Sequence, residues 1–113
     1  MTQPIGIEDF ERADFRVGTV VDAQSFPEAR KPSLKLWVDF GAPLGVKQSS
    51  AQLTVHYTAD RLIGRQVLAV VNLAPRKIAG FESQILVLGL PDENGAVVLL
   101  KPDLHVPNGG RVF

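Results

Sequence analysis

The chain has 113 residues, no cysteine, and equal numbers of basic and acidic side chains, twelve of each. A single domain is expected for this length, and the lack of cysteine excludes disulfides, thiolate metal sites and cysteine nucleophiles. With 45% hydrophobic and 21% charged residues, the composition is that of an ordinary globular protein, and the zero net charge points to no particular partner.

The first elements predicted along the chain are a short helix and a long strand. Residues 7–13 have apolar side chains three apart and acidic residues in the first turn, which favours a short helix. Residues 15–26 are rich in valine and predict a strand, in which Gly18 marks a bend of the kind that small barrels need. A turn-rich, basic loop follows at residues 27–33.

The clearest strand signal comes next, at residues 34–40. Apolar and polar side chains alternate there with a period of two, which predicts a strand with one buried face. Residues 47–55 predict a more polar strand, and residues 58–63 a short helix with Thr58 as its N-cap.

Two later segments, residues 66–73 and 85–90, are apolar on both faces and are predicted to lie deep in the sheet. Between them, residues 74–83 predict a loop that carries two cations and a phenylalanine. A turn at residues 91–95 leads to a last strand at 97–101, and the tail at 102–113 contains an Asn-Gly-Gly turn.

The predicted order is three strands, a short helix and two strands, with a further strand after them. Five strands with a helix between the third and fourth predict an all-β, five-stranded OB-fold barrel with short helices and a C-terminal extension. Periodicity alone leaves an SH3-like barrel or a sandwich open.

No residue pattern predicts a catalytic site, a metal site or a cofactor. His56 and His105 lie far apart in the sequence, without neighbours at metal-ligand spacing. Asp9, Glu11 and Asp14 cluster where a helix dipole accounts for them, and glycine-rich phosphate loops are missing. We therefore expect a binding protein rather than an enzyme.

The N-terminus shows no basic stretch followed by an apolar core, as a secretory signal would. The apolar runs are far shorter than the roughly 20 residues of a membrane span. These observations predict a cytoplasmic protein with no membrane insertion.

Charge is unevenly distributed along the chain. Residues 30–77 hold eight basic and two acidic side chains, whereas the two flanks together hold four basic and ten acidic ones. A basic middle between acidic ends is compatible with an electrostatic face for a polyanion, and a mixed solvated surface is the plain alternative.

The segment AVVNLAPRKIAGFESQILVLG, residues 69–89, resembles the signature of the tRNA-binding OB domain. That domain occurs as an appendage of methionyl- and phenylalanyl-tRNA synthetases and as small free-standing dimers. Asn72, Pro75, Arg76, Gly80 and Ser83 fall at the asparagine, proline, basic, glycine and serine positions of the pattern. FRVGTV at residues 15–20 resembles the opening strand of the family, and LIGR at 62–65 resembles the stretch after its helix.

One departure from the synthetase appendages is informative. They usually show Ser-Gly at the third strand, whereas this chain has SSAQ at residues 49–52. With FPEARKP at 26–32, VDFG at 38–41, HYT at 56–58 and PNGGRV at 107–112, that variant is similar to the CsaA subgroup. The resemblance implies one tRNA-binding-type OB domain over residues 1–113 and a dimeric, secretion-related chaperone.

The candidate RNA site combines cations with hydroxyl and amide side chains, which suit phosphates and sugars. The predicted RNA-binding residues are Arg30, Lys31, Lys35, Lys47, Ser49, Ser50, Asn72, Arg76, Lys77 and Ser83. The alternative to an RNA contact is a structural role, in which Ser49 and Ser50 are hydroxyls on the face of the sheet and Asn72 caps the end of a strand.

Trp37 and Phe81 are the predicted peptide-binding residues. Phe81 lies in a basic loop and could stack on a base, receive an apolar peptide side chain, or plug the barrel end. Trp37 lies on the polar face of its strand, either as a binding platform or under a neighbouring element.

Two functions are therefore predicted. The first is a non-enzymatic protein that binds tRNA or another structured RNA, and the alternative is a secretion chaperone that binds unfolded or precursor polypeptides through an apolar groove. Apolar residues near both chain ends predict a homodimer joined through residues 1–13 and 97–113. The competing account is that the tail wraps its own barrel.

Overall fold

The computed structural model describes residues 2–113, in which two short helices and nine strands are formed. In chain order these are α1 (Ile7–Glu11), β1 (Phe15–Ser25), β2 (Leu34–Asp39), β3 (Val46–Ala51), α2 (Ala59–Leu62), β4 (Gln66–Val70), β5 (Arg76–Ile78), β6 (Phe81–Ser83), β7 (Leu86–Val87), β8 (Gly89–Pro91) and β9 (Val97–Leu99).

The main sheet has the strand order β3-β2-β1-β4-β7, and every pair in it is antiparallel. Its two edges approach each other, because the Gln84 amide donates to the Gln48 carbonyl (2.9 Å) and the Ser49 hydroxyl donates to the Ile85 carbonyl (3.2 Å). These bonds nearly close the sheet into a barrel, with α2 between β3 and β4 in the sequence. The predicted five-stranded OB-like barrel with short helices is confirmed.

The barrel core follows the period-two pattern of β2. Leu36 and Val38 have no exposed surface, whereas Lys35 and Trp37, which alternate with them, are half-buried on the outer face. The alternation that predicted this strand therefore sorts its side chains between the core and the outside.

Gly18 permits a close approach of two strands. A Cβ at this position would lie 2.6 Å from Val38 Cγ1 and 2.8 Å from Phe40 Cδ1. The register between β1 and β2 shifts further along, between Val20 and Asp22, and a bulge of this kind bends and twists its strand.

Only one of the two segments predicted to lie deep in the sheet does so. In the segment 66–73, Gln66–Val70 is buried except for the half-buried Leu68, whereas Leu73 beyond the strand is 48% exposed. The segment 85–90 instead divides into β7 and β8, and the Leu86 and Leu90 side chains are 50% and 57% exposed. The reason is that β7 pairs with β4 over two residues before the chain leaves the barrel for the β8–β9 hairpin.

The C-terminal tail packs on the barrel of its own chain. The Gly109 amide donates to the Val17 carbonyl (2.8 Å), and the Val112 amide donates to the Phe15 carbonyl (2.9 Å). These bonds support the competing account of the tail, although Leu104 remains 75% exposed on it. The homodimer stays a prediction. At the other end of the chain, the first helix is shorter than predicted and ends at residue 11.

Neither helix in residues 2–113 has the length and apolar character that crossing a membrane requires.

Candidate nucleic-acid interface

Residues 74–83, predicted as a loop, contain a β-hairpin formed by β5 and β6. The two strands pair with Arg76 opposite Ser83 and are joined by a two-residue turn at Ala79 and Gly80. Both turn residues have positive φ, 48° and 82°, as a type I′ turn requires. The two cations of this segment therefore sit on a paired strand rather than in an irregular loop.

The register of the hairpin separates these two cations. Residues directly opposite in antiparallel strands share a face, so Arg76 lies with Ser83 and Lys77 lies with Glu82. Arg76 and Ser83 line a cavity together with Ser50 of β3, which makes theirs the inner face of the hairpin. Lys77 is exposed on the outer face, across from an acidic residue.

Phe81 packs into an aromatic cluster further along the inner face. Its ring centroid lies 5.5 Å from that of Phe26 and 5.9 Å from that of Trp37, both in edge-on arrangements. Lys35 Nζ lies 4.7 Å from the Phe26 centroid and 5.0 Å from the Phe81 centroid, within the range of cation–π attraction. Phe81 and Trp37 are half-buried, so part of each residue remains accessible to solvent.

Gln48 connects the hairpin to Trp37. Its Oε1 accepts a hydrogen bond from Trp37 Nε1 (3.2 Å), and its Nε2 donates to the Glu82 carbonyl (2.8 Å). Neither Gln48 nor Phe26 was predicted as a site residue. Because Trp37 and Gln48 are directly opposite in β2 and β3, a correct register would have indicated Gln48, whereas Phe26 entered only as the first residue of the FPEARKP resemblance.

A cavity of about 130 Å³ lies between the hairpin, β3 and the segment around β7. Three of the predicted RNA-binding residues, Ser50, Arg76 and Ser83, form part of its polar lining. Its apolar lining comes from Ile78 on the hairpin and from Ile85 and Leu86 at β7. The Ser50 amide donates to Ser83 Oγ (3.1 Å), so β6 is held against β3 at this point.

We call this surface the hairpin face and define it by six predicted site residues: Lys35, Trp37, Ser50, Arg76, Phe81 and Ser83. Arg30 and Lys31 are exposed in the loop that follows Phe26. Within residues 2–113, none of the six predicted cations forms an ion pair. Unpaired cations remain available to phosphate groups.

Lys47 and Ser49 do not belong to the hairpin face. They alternate with Ser50 along β3 and therefore point to its other side. The prediction of Ser49 as an RNA contact is wrong, because this residue is 1% exposed and its hydroxyl donates to the Ile85 carbonyl at the barrel closure. Lys47 is half-buried opposite Val38.

Asn72 connects the end of the β4 region to the N-terminal segment. Its Oδ1 accepts from the Asp14 amide (2.9 Å), and its Nδ2 donates to the Arg12 carbonyl (2.7 Å). Because both ends of the side-chain amide bind backbone, the geometry favours the strand-end alternative over an RNA contact.

Titratable side chains form no metal-like cluster within the described part of the chain, residues 2–113. His56 Nε2 lies 2.7 Å from Asp92 Oδ2. Hydrogen bonds from His56 and from the amides of Asn94 and Ala96 hold the pKa of Asp92 below its ordinary value. This pair joins the segment after β3 to the turn of the β8–β9 hairpin, which gives His56 a structural role.

Comparison with known protein families matches residues 15–111 to the family described as "Putative tRNA binding domain". The chain belongs to this family. Among solved structures, it is similar to the chaperone CsaA from Bacillus anthracis, with 50% identity, a TM-score of 0.91, and coverage of 98% of this chain and 100% of that one. A CsaA chaperone protein from Picrophilus torridus is 44% identical, with a TM-score of 0.89 and coverage of 97% and 100%.

The chain is also similar to one part of much longer enzymes. The methionine–tRNA ligase of Methanothrix thermoacetophila is 43% identical over 105 residues, which are 93% of this chain and 15% of that enzyme. The chain spans 14 to 16% of the length of the methionine–tRNA ligases that it matches. The resemblance to the tRNA-binding OB domain and to CsaA, predicted from sequence, is confirmed.

Proposed function

We propose that this protein binds tRNA, or RNA of similar structure, through the hairpin face, without catalysing a reaction. The observation that carries the proposal is the convergence of unpaired cations, serine hydroxyls and half-exposed aromatic rings on one side of the barrel. Proteins bind RNA with these three groups, using cations for phosphates, hydroxyls for the sugar–phosphate backbone and rings for bases. Because tRNA is a cytoplasmic molecule, the proposal assigns the protein to the cytoplasm.

The exposed cations outside the hairpin face extend the proposed surface. Arg30, Lys31 and Lys77 supply phosphate contacts around it, whereas Lys47, half-buried on the other side of β3, is not part of this surface. Contacts of this kind strengthen binding without reading sequence, so the protein is expected to recognise the shape and backbone of its RNA.

The test is titration of the purified protein with tRNA at two salt concentrations. If about six cations neutralise phosphates, the affinity should fall by roughly 10³ between 50 and 200 mM salt, because binding releases condensed counterions. An affinity that is unchanged over this range would contradict binding through the phosphate backbone.

A second candidate function is the binding of unfolded or precursor polypeptides. It is supported by the similarity to two proteins described as CsaA chaperones and by the half-exposed rings of Trp37 and Phe81. Binding by apolar contacts does not weaken with rising salt. Titration with a reduced, unfolded polypeptide at the same two salt concentrations therefore separates the two functions.

We further propose that the protein is a homodimer joined through residues 1–13 and 97–113. α1 and the tail form an open groove of about 210 Å³, whose lining is Ile7, Phe10, Val112 and Phe113 together with the charged Glu11 and Arg111. The Ile7 side chain is 66% exposed, and Phe113 is fully exposed. A second copy placed across a two-fold axis would cover these residues with their own equivalents, which gives a self-complementary interface.

A further inference from the structure

We infer that the cavity between the hairpin and β3 receives one unstacked nucleobase of the bound RNA; this inference rests on the proposed function. The cavity measures about 130 Å³. Sites for drug-sized ligands occupy roughly 300–1,000 Å³, so this one suits a group the size of a single ring system. Ile78, Ile85 and Leu86 provide apolar walls for the faces of such a ring.

The polar groups of the cavity match the edge of a base. Ser83 Oγ accepts from the Ser50 amide, and a hydroxyl that accepts one hydrogen bond can still donate its own hydrogen. Arg76 also lines the cavity, and its guanidinium can stack on a base there or bind the adjoining phosphate. An apolar peptide side chain in the same place would use none of these groups, which favours the base over the peptide.

The dimensions of the cavity select unpaired bases. A base inside a duplex is stacked on both faces, and rotating it out costs a few kcal/mol, least where the strand is already single. The hydroxyl groups both donate and accept, so they serve the edge of any base. The cavity should therefore recognise single-stranded loops or ends without strong preference for one nucleotide.

Ala74 offers a way to fill the cavity without changing its charge. It lines the cavity from the exposed segment before β5, so Ala74→Leu places added bulk inside. Thr54→Leu adds an apolar side chain at another exposed loop position and serves as the matched control. The probes are an RNA hairpin with 2-aminopurine in its loop, a blunt RNA duplex with the stem sequence, and an unfolded polypeptide.

The unaltered protein is expected to change the fluorescence of the loop reporter on binding. Ala74→Leu should weaken binding of the RNA hairpin at least about fivefold, the equivalent of about 1 kcal/mol for one captured base. It should leave binding of the duplex unchanged, and Thr54→Leu should affect neither RNA.

The other possible results separate a failure of the nucleobase cavity from a failure of RNA binding itself. If both RNAs bind and Ala74→Leu binds them like the unaltered protein, the nucleobase cavity is overturned while RNA binding stands. If Ala74→Leu weakens binding of the polypeptide but not of the hairpin, the cavity belongs to peptide binding and the inference is wrong. If neither RNA binds the unaltered protein, the proposed function fails and the inference fails with it.

Discussion

The two adjacent cations of the hairpin are not equivalent, although the sequence presents them as a pair. Both are exposed, but Arg76 lines the cavity with Ser83, whereas Lys77 lies on the outer face opposite Glu82. The difference arises from the pleat, which turns successive side chains of a strand to opposite sides.

Single substitutions at these two positions test the assignment. Arg76→Ala is expected to weaken tRNA binding about tenfold or more, since a hydrogen bond to a charged group contributes about 1.5–3 kcal/mol. Lys77→Ala removes the same charge from the exposed outer face and should cost no more than about fivefold. Fluorescence anisotropy with labelled tRNA measures both, and circular dichroism checks the fold. Equal losses would contradict the separation of the two faces.

Phe81 combines packing with exposure, so its removal should affect both stability and binding. Phe81→Ala loses two edge-on ring contacts, and we expect the free energy of unfolding to fall by about 1–3 kcal/mol. Polypeptide binding should fall sharply, while RNA binding should lose a stacking contribution of about 1–3 kcal/mol at most. Phe81→Leu, which keeps most of the apolar volume, is the control.

Trp37 supplies a direct signal for this experiment, because it is the single tryptophan of the chain. Its ring contacts Phe81, so Phe81→Ala should shift its emission to longer wavelength as water reaches the indole. An unchanged emission spectrum, together with an unchanged unfolding free energy, would show that the aromatic cluster does not form in solution.

At the scale of elements, the turn of the β5–β6 hairpin contains an alanine at a position that favours asparagine or glycine. Ala79 has a φ of 48°, a conformation that costs an L residue with a Cβ roughly 1–2 kcal/mol. The following Gly80, with a φ of 82°, bears no such cost. Asparagine tolerates this region better, and Asn-Gly is the preferred pair for a type I′ turn.

We therefore expect Ala79→Asn to raise the free energy of unfolding by up to about 1 kcal/mol. Ala79→Gly should gain less, because glycine also increases the conformational entropy of the unfolded chain. Ala79→Val should destabilise the protein, since a β-branched residue is strained at positive φ. Urea unfolding measures all three variants, and the reverse order of stability would contradict the type I′ turn.

At the scale of the whole molecule, the exposed apolar ends of the chain decide the proposed assembly. The unaltered protein should scatter light as a particle of twice the chain mass of 12.3 kDa at micromolar concentration. Phe113→Asp combined with Ile7→Asp should yield monomers, because two desolvated carboxylates per chain would oppose the interface. Val55→Asp, at a position 72% exposed elsewhere, is the control.

These point substitutions are preferable to removing the tail. The tail bonds to β1, and the Gln66 side chain donates to the Val106 carbonyl (2.6 Å), so truncation would disturb the barrel itself. A mass of 12.3 kDa for the unaltered protein would contradict the dimer, and the tail would then pack only on the barrel of its own chain.

Local patterns were sufficient for most of the barrel. The alternation in β2 predicted which side chains enter the core, because a strand with one buried face must place apolar residues at every second position. The order of elements along the chain, three strands, a short helix and two strands, predicted the OB-like barrel. The segment 85–90 was predicted less well, since periodicity does not reveal where a strand leaves its sheet.

The sequence by itself determined the barrel, the family and the residue types of the candidate site, because each depends on composition and on spacing along the chain. Tertiary structure alone decided which of those residues meet. The hairpin register placed Arg76 on the cavity side and Lys77 on the opposite side, the barrel closure buried Ser49, and β6 brought Phe81 onto Trp37. The physical reason is that pairing between strands distant in sequence sets the face and the neighbours of every side chain, and a one-residue change of register would reverse them.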